Sequence, residues 1–178
     1  MLVPSSVIVI LSTFLVIHFD GSLRVPPDLY PDTVPSSITS SFLSPVATCA
    51  AALFSSDGSL LAIGGSHLDL FPTTTSAEVE YAGLIYGLRE LSQLLSGPSF
   101  TSHTITSRTG PMCVVVKGDC KTVIDQMNGK AKPRKQRVQY IEAQSLVQEL
   151  SDKFECSCTF EHVNRDKNKI SDHLLLKN

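Results

Sequence analysis

Apolar positions along this chain fall into two periodicities, and each predicts a different kind of element. Short runs rich in β-branched and small apolar residues read as strands: Leu15–Phe19, Val46–Phe54, Leu60–His67, Met112–Val116 and Cys156–Val163. The second and third are joined by Ser55-Ser56-Asp57-Gly58-Ser59, whose Asp-Gly centre signals a hairpin. The first runs into Asp20-Gly21-Ser22, which predicts a turn at the strand's end. Helical spacing takes over at Leu84, Leu88, Leu91 and Leu95, which share one face. That segment opens with Thr75-Ser76-Ala77-Glu78, a capping box in sequence, and stops at Gly97-Pro98. Gly83 and Gly87 within it permit close approach to a neighbour. Further helices are expected from about Lys121 to Asn128, with Gly129 as the stop, over Val138–Phe154, and over Ile170–Leu176.

The order is three strands, a helix, a strand, two helices, a strand and a helix. A meander that feeds two helix-separated strands predicts an α/β fold with one mixed five-stranded sheet. Its first three strands should run antiparallel and its last two parallel, with helices on both faces. Arg24–Pro45 interrupts the pattern with five prolines and seven serines or threonines, and reads as a long loop insertion. Pro98–Pro111 reads as a polar connector. The 178 residues fit one domain, taken as 15–178 behind an apolar leader at 1–14. Val7–Phe19 lacks a basic flank, falls short of the roughly 20 residues a spanning helix needs, and runs straight into Asp20. A buried first strand is therefore expected here in preference to a signal or membrane anchor.

Charge narrows the function classes. A net charge of −2 and a pI near 6.2 argue against coating nucleic acid by bulk charge, so any phosphate contact must be local. One segment offers it: Lys130, Lys132, Arg134, Lys135 and Arg137 stand within eight residues, against the alternative of a solvated interhelical loop. Five cysteines, an odd number without framework spacing, point to reduced thiols and an intracellular protein. Cys156 and Cys158 share a strand face, but no second pair completes a zinc site.

Four acids carry the candidate chemistry. Glu80 shares the apolar face of its helix with Leu84 and Leu88, whereas Glu78 lies about 200° around at ~100° per residue and is explained by the capping box. Nothing structural explains Glu80. Asp20, taken alone, is a turn aspartate, and Asp119, taken alone, is a helix N-cap. Asp172 sits beside the apolar stripe formed by Leu175 and Leu176. Four semi-buried acids at one end of a sheet would repel each other without cations, and such a set is what a two-metal phosphodiester site requires.

The segments HFDGS at 18–22, VEYAGLIYGL at 79–88, VKGDCKTVIDQMNG at 116–129 and HVNRDKNKISDHL at 162–174 occur in that order on those elements. Together they resemble the motifs of type 1 ribonuclease H domains, closest to the reverse-transcriptase-like subgroup, over about residues 15–177. The resemblance implies a ribonuclease H-like fold and hydrolysis of the RNA strand of RNA/DNA hybrids with two Mg²⁺ ions, for which Mn²⁺ should substitute. It implies Asp20, Glu80, Asp119 and Asp172 as the metal-binding carboxylates. It also implies His162, ten residues before Asp172, as a histidine on a mobile loop that moves protons or releases product.

Arg165 and Asn168 match the basic residue and the asparagine of the last motif. With Ser22, Ser76, Thr122, Lys130, Lys132, Arg134 and Lys135 they make up the expected nucleic-acid contacts. The chain departs from the family where a Gly-Asn-Pro-Gly-type turn is replaced by Arg24–Pro45, and where an Asn pair becomes Ser76-Ala77. Both departures touch substrate grip and hybrid selectivity, not the metal ligands. The competing reading is a non-catalytic nucleic-acid-binding module on the same fold; an exonuclease or transposon-derived relative is a third. A monomer with no small-molecule cofactor and no membrane association is expected.

Overall fold

Phe14–Arg24, whose apolar start through Phe19 suits a strand, becomes the central strand β1 of the sheet in the computed structural model, which describes residues 14–24, 46–69, 74–97 and 111–168. It is followed by β2 (Val46–Ser55), β3 (Leu60–Leu68), α1 (Ser76–Ser96), β4 (Met112–Gly118), α2 (Lys121–Met127), α3 (Arg137–Phe154) and β5 (Cys156–His162). A single turn of 3₁₀ helix covers Arg165–Lys167. The strands lie in the order β3-β2-β1-β4-β5; β1, β2 and β3 pair antiparallel, and β4 runs parallel to both β1 and β5. The mixed α/β sheet is the one expected.

Local signals explain most of the boundaries. The Ser55–Ser59 turn closes through the Gly58 amide on the Ser55 carbonyl and the Ser59 amide on Asp57 Oδ1, both 2.9 Å, and Gly58 takes φ +82°. Thr75 caps α1: the Glu78 amide donates to its Oγ1 and its own amide donates to Glu78 Oε2 at 2.7 Å. Gly129, at φ +71°, follows α2 in the left-handed conformation expected of a helix stop. One boundary differs. β1 does not turn at Asp20-Gly21-Ser22 but continues to Arg24, because β2 supplies ladder partners Ala50, Cys49 and Thr48 opposite those three residues.

The core lies between one face of the sheet and the helices. Leu15, Ile17 and Phe19 of β1, with Met112, Val114 and Val116 of β4, meet Leu84, Leu88, Leu91 and Leu95 of α1 and Val123, Ile124 and Met127 of α2. Each such buried aliphatic side chain stabilises the fold by roughly 1.5–3 kcal/mol. On the other face Ala50 and Ala52 pack with Phe54, against which the His18 ring stands edge-on at 5.6 Å. The three described helices share the first face. The helix expected over Ile170–Leu176, the leader before Phe14, most of the Arg24–Pro45 insertion and the connector to Pro111 lie outside the described residues. Among the described residues no helix is long and apolar enough to cross a membrane.

Candidate metal centre

The strand order creates an opening. The β1–β4 ladder ends at His18 and Lys117, and the chain leaves β1 toward β2 on one side while β4 lies on the other. In open α/β sheets such a switch point, at the carboxyl ends of parallel strands, is where ligands bind. Asp20 stands two residues past the last pair on β1, and Asp119 follows directly on β4.

Glycines bring the third acid to the same place. A Cβ on Gly83 would lie 2.4 Å from the Asp20 carbonyl oxygen, and one on Gly21 would lie 2.5 Å from the Glu80 nitrogen. Helix and strand therefore touch backbone to backbone, which only glycine allows. Four residues on, Gly87 seats the next turn against Ile17 and Ala51. The close approach expected of Gly83 and Gly87 is what delivers Glu80 to Asp20; the part of Gly21 was not foreseen, although its position beside Asp20 was the available signal.

Oxygens of Asp20, Glu80 and Asp119 all lie within 4.8 Å of one another. Asp20 is 4% exposed and Glu80 9%. Gly21 donates its amide to Asp20 Oδ1 at 2.8 Å, but Asp20 Oδ2, Glu80 Oε2 and Asp119 Oδ1 are buried without a hydrogen-bond partner among the described residues. Burial first, then the Asp119 charge, raises the Asp20 carboxyl to about 6. Burial first, then Asp20 and Asp119, raises Glu80 to about 8. The Gly21 amide and the Arg165 charge pull the other way on both. Three orphaned, mutually repelling carboxylate oxygens form an all-oxygen donor set that suits a hard divalent cation such as Mg²⁺. Asp172, the fourth expected ligand, lies outside the described residues.

The remaining candidates are placed as follows. Asp119 is not the N-cap that its isolated context suggested: Cys120 occupies that position, and no side chain caps α2. His162 is not on a loop. It closes β5 in register with Gly118, and its Nε2 lies 3.0 Å from the Asp119 carbonyl oxygen. Asn168 cannot touch nucleic acid, because it is fully buried. Its Nδ2 donates to the Phe19 carbonyl at 2.9 Å and its Oδ1 lies 3.3 Å from His18 Nδ1, so it fills the split beside Asp20.

Arg165 is exposed on the 3₁₀ turn and close enough to lower both raised carboxyls. Ser22 is half-buried in β1 opposite Thr48, while Ser76 and Thr122 are exposed in the first turns of α1 and α2. Lys130, Lys132, Arg134 and Lys135 are exposed between α2 and α3.

A family model described as reverse transcriptase-like matches residues 104–175. The N-terminal ribonuclease H domain of a Mycobacterium tuberculosis protein is similar at 25% identity and TM-score 0.61, with 92% of this chain and 91% of that chain covered. Ribonuclease H1 from the archaeon Halobacterium salinarum is similar at 20% identity and TM-score 0.59, over 90% of this chain and 93% of that one. The LC11 ribonuclease H1, solved with an RNA/DNA hybrid, is similar at 20% identity and TM-score 0.63, over 90% and 92%. No curated protein sequence matches the chain significantly.

Proposed function

We propose that this chain, a type 1 ribonuclease H-like domain, is a metal-dependent endonuclease that cuts the RNA strand of RNA/DNA hybrids. The observation that carries this reading is the convergence of Asp20, Glu80 and Asp119 within 4.8 Å, each with an orphaned buried oxygen. A nucleic-acid-binding module has no use for such a set, which destabilises the metal-free fold. A fold neighbour solved with an RNA/DNA hybrid supports the choice of substrate.

Asp20, Glu80 and Asp119 would hold the metal, with Asp172 as the proposed fourth ligand. Bound Mg²⁺, replaceable by Mn²⁺, supplies a more acidic water and neutralises charge on the phosphate. The chain's own residues do the rest. β1, α1 and β4 hold the three carboxylates in fixed register, so that little reorganisation is needed when substrate arrives. Arg165 sets a positive charge at the rim of the acid cluster, where a phosphate would pass. His162 rests against the Asp119 main chain, and from there it is proposed to move protons or help release product. Lys130, Lys132, Arg134 and Lys135 are proposed to contact phosphates away from the cut, and Ser22, Ser76 and Thr122 to contact the backbone nearer to it.

The test is incubation of the full chain with an end-labelled RNA/DNA hybrid in Mg²⁺ or in chelator. Metal-dependent cleavage of the RNA strand, reduced at least a hundredfold in Asp119→Asn, is the expected result. Hybrid binding with no cleavage at any Mg²⁺ or Mn²⁺ concentration would establish the binding-module reading instead.

A further inference from the structure

Tyr81 follows Glu80 on α1, and Gln126 lies on α2, the helix that begins just after Asp119 and Cys120. Tyr81 is fully buried, Gln126 is 4% exposed, and the Tyr81 hydroxyl donates to Gln126 Oε1 at 2.7 Å. Polar side chains rarely enter a core without cause, and here two enter together, the Tyr81 hydroxyl finding its acceptor in Gln126 Oε1.

The surroundings say what the pair can do. α2 is a seven-residue helix with no side-chain cap at its N-terminus, so its own hydrogen bonds hold it weakly and its placement depends on tertiary contacts. Val123, Ile124 and Met127 supply non-directional packing. The Tyr81–Gln126 bond adds direction and length. Asp119 and Glu80 repel each other across the gap that these two helices span, since each acid is part of the same orphaned cluster. A charged tie would alter the cluster's field, whereas a neutral hydrogen bond resists the separation without doing so.

We infer that the Tyr81–Gln126 hydrogen bond is a positioning couple that sets the spacing of Glu80 and Asp119 for metal binding. Neither residue belongs to the acid cluster; both act through the helices that carry or follow its members. The functional meaning of the couple rests on the metal-centre reading above.

The experiment compares Tyr81→Phe, Gln126→Met and the double variant with the parent chain. Three measurements are made: melting in chelator, calorimetric titration with Mg²⁺ alone, and ¹³C carboxyl shifts of Glu80 and Asp119 in the metal-free protein. Each single variant strands a buried polar partner and should melt lower; the double variant removes both partners and should recover most of that loss. If the couple only stabilises, Mg²⁺ affinity recovers with it. As a positioning device, the couple predicts that the double variant regains its melting temperature while Mg²⁺ affinity stays about tenfold low and both carboxyl shifts stay displaced.

A double variant with parental affinity and parental shifts overturns the inference. A parent chain that binds no Mg²⁺ overturns the metal-centre reading and with it the couple's role in metal binding. The carboxyl shifts then tell the two failures apart: displaced shifts show that the couple still sets the spacing of the two acids, and unchanged shifts reject that as well.

Discussion

Glu80 is the residue whose environment is most at odds with its ordinary chemistry. Its carboxyl rises from 4.5 to about 8, and that of Asp20 from 3.8 to about 6, burial being the first cause of each. The folded chain therefore holds both protons more tightly than the unfolded chain does. That contribution to stability is fully present below the unfolded values and is lost as pH rises, between 3.8 and about 6 for Asp20 and between 4.5 and about 8 for Glu80. The expected outcome is a metal-free protein whose melting temperature falls as pH is raised from about 5 to about 8, with Mg²⁺ restoring it by binding the folded form. Glu80→Gln removes the acid that contributes the upper part of this decline. It should melt higher than the parent in chelator at about pH 8 and gain little from Mg²⁺. Scanning calorimetry across pH, with chelator or with Mg²⁺, reads both effects; a metal-free melting temperature that climbs over this range rejects the account.

At the scale of elements, the decisive contact is α1 against β1. Gly83→Ala raises helix propensity by up to ~1 kcal/mol, which on local grounds should stabilise α1. The added Cβ would nevertheless meet the Asp20 carbonyl oxygen at 2.4 Å, so helix and strand must move apart. A net loss of about 1–3 kcal/mol is expected from such overpacking, with weaker Mg²⁺ binding because Glu80 moves with the helix. Gly97→Ala is the milder comparison: φ there is −72°, and a new Cβ would stand 3.3 Å from the Leu94 carbonyl oxygen, tight by only a few tenths of an ångström. Its effect should be smaller than that of Gly83→Ala and leave Mg²⁺ binding unchanged. Denaturant melts and Mg²⁺ titrations of both variants check this.

The same contact shows what the sequence could disclose. The capping box, the leucine stripe and the phase that separates Glu80 from Glu78 are all local, and all were legible. The continuation of β1 through Asp20 was not, because partner residues on β2, beyond the Arg24–Pro45 segment, decide it. Nor was the fate of Asn168, a polar residue in a polar stretch. Its burial follows from the parting of β1 and β4, which leaves the Phe19 carbonyl in need of a donor. His162 lies within the strand expected over Cys156–Val163; the mobile loop was implied only by the family resemblance, and pairing with β4 up to Gly118 holds the residue in β5 instead.

For the whole molecule, the proposed nuclease activity sets one problem: a polyanion must be drawn toward a cluster of acids on a chain of net charge −2. Bulk attraction is absent, so the work must fall to local charge. Lys130, Lys132, Arg134 and Lys135 are all exposed on the segment joining α2 to α3. α2 begins just after Asp119, so this segment is tied to the metal centre by one short helix. Attraction and chemistry should then be separable. In chelator the acid cluster should repel phosphate while the basic segment still binds it, so that a hybrid is expected to be held but not cut. Replacing the four residues by serine should weaken hybrid binding and flatten its salt dependence, by up to about 3.6 in the slope of log affinity against log salt if each contacts one phosphate. Melting temperature and Mg²⁺ affinity should not change, because the four side chains lie outside both the core and the acid cluster. Fluorescence anisotropy of a labelled hybrid across a salt series, in chelator, measures the slope directly. A slope equal to the parent's would mean that the segment is a solvated loop and that Arg165, at the rim of the acids, is the first cation to examine in its place.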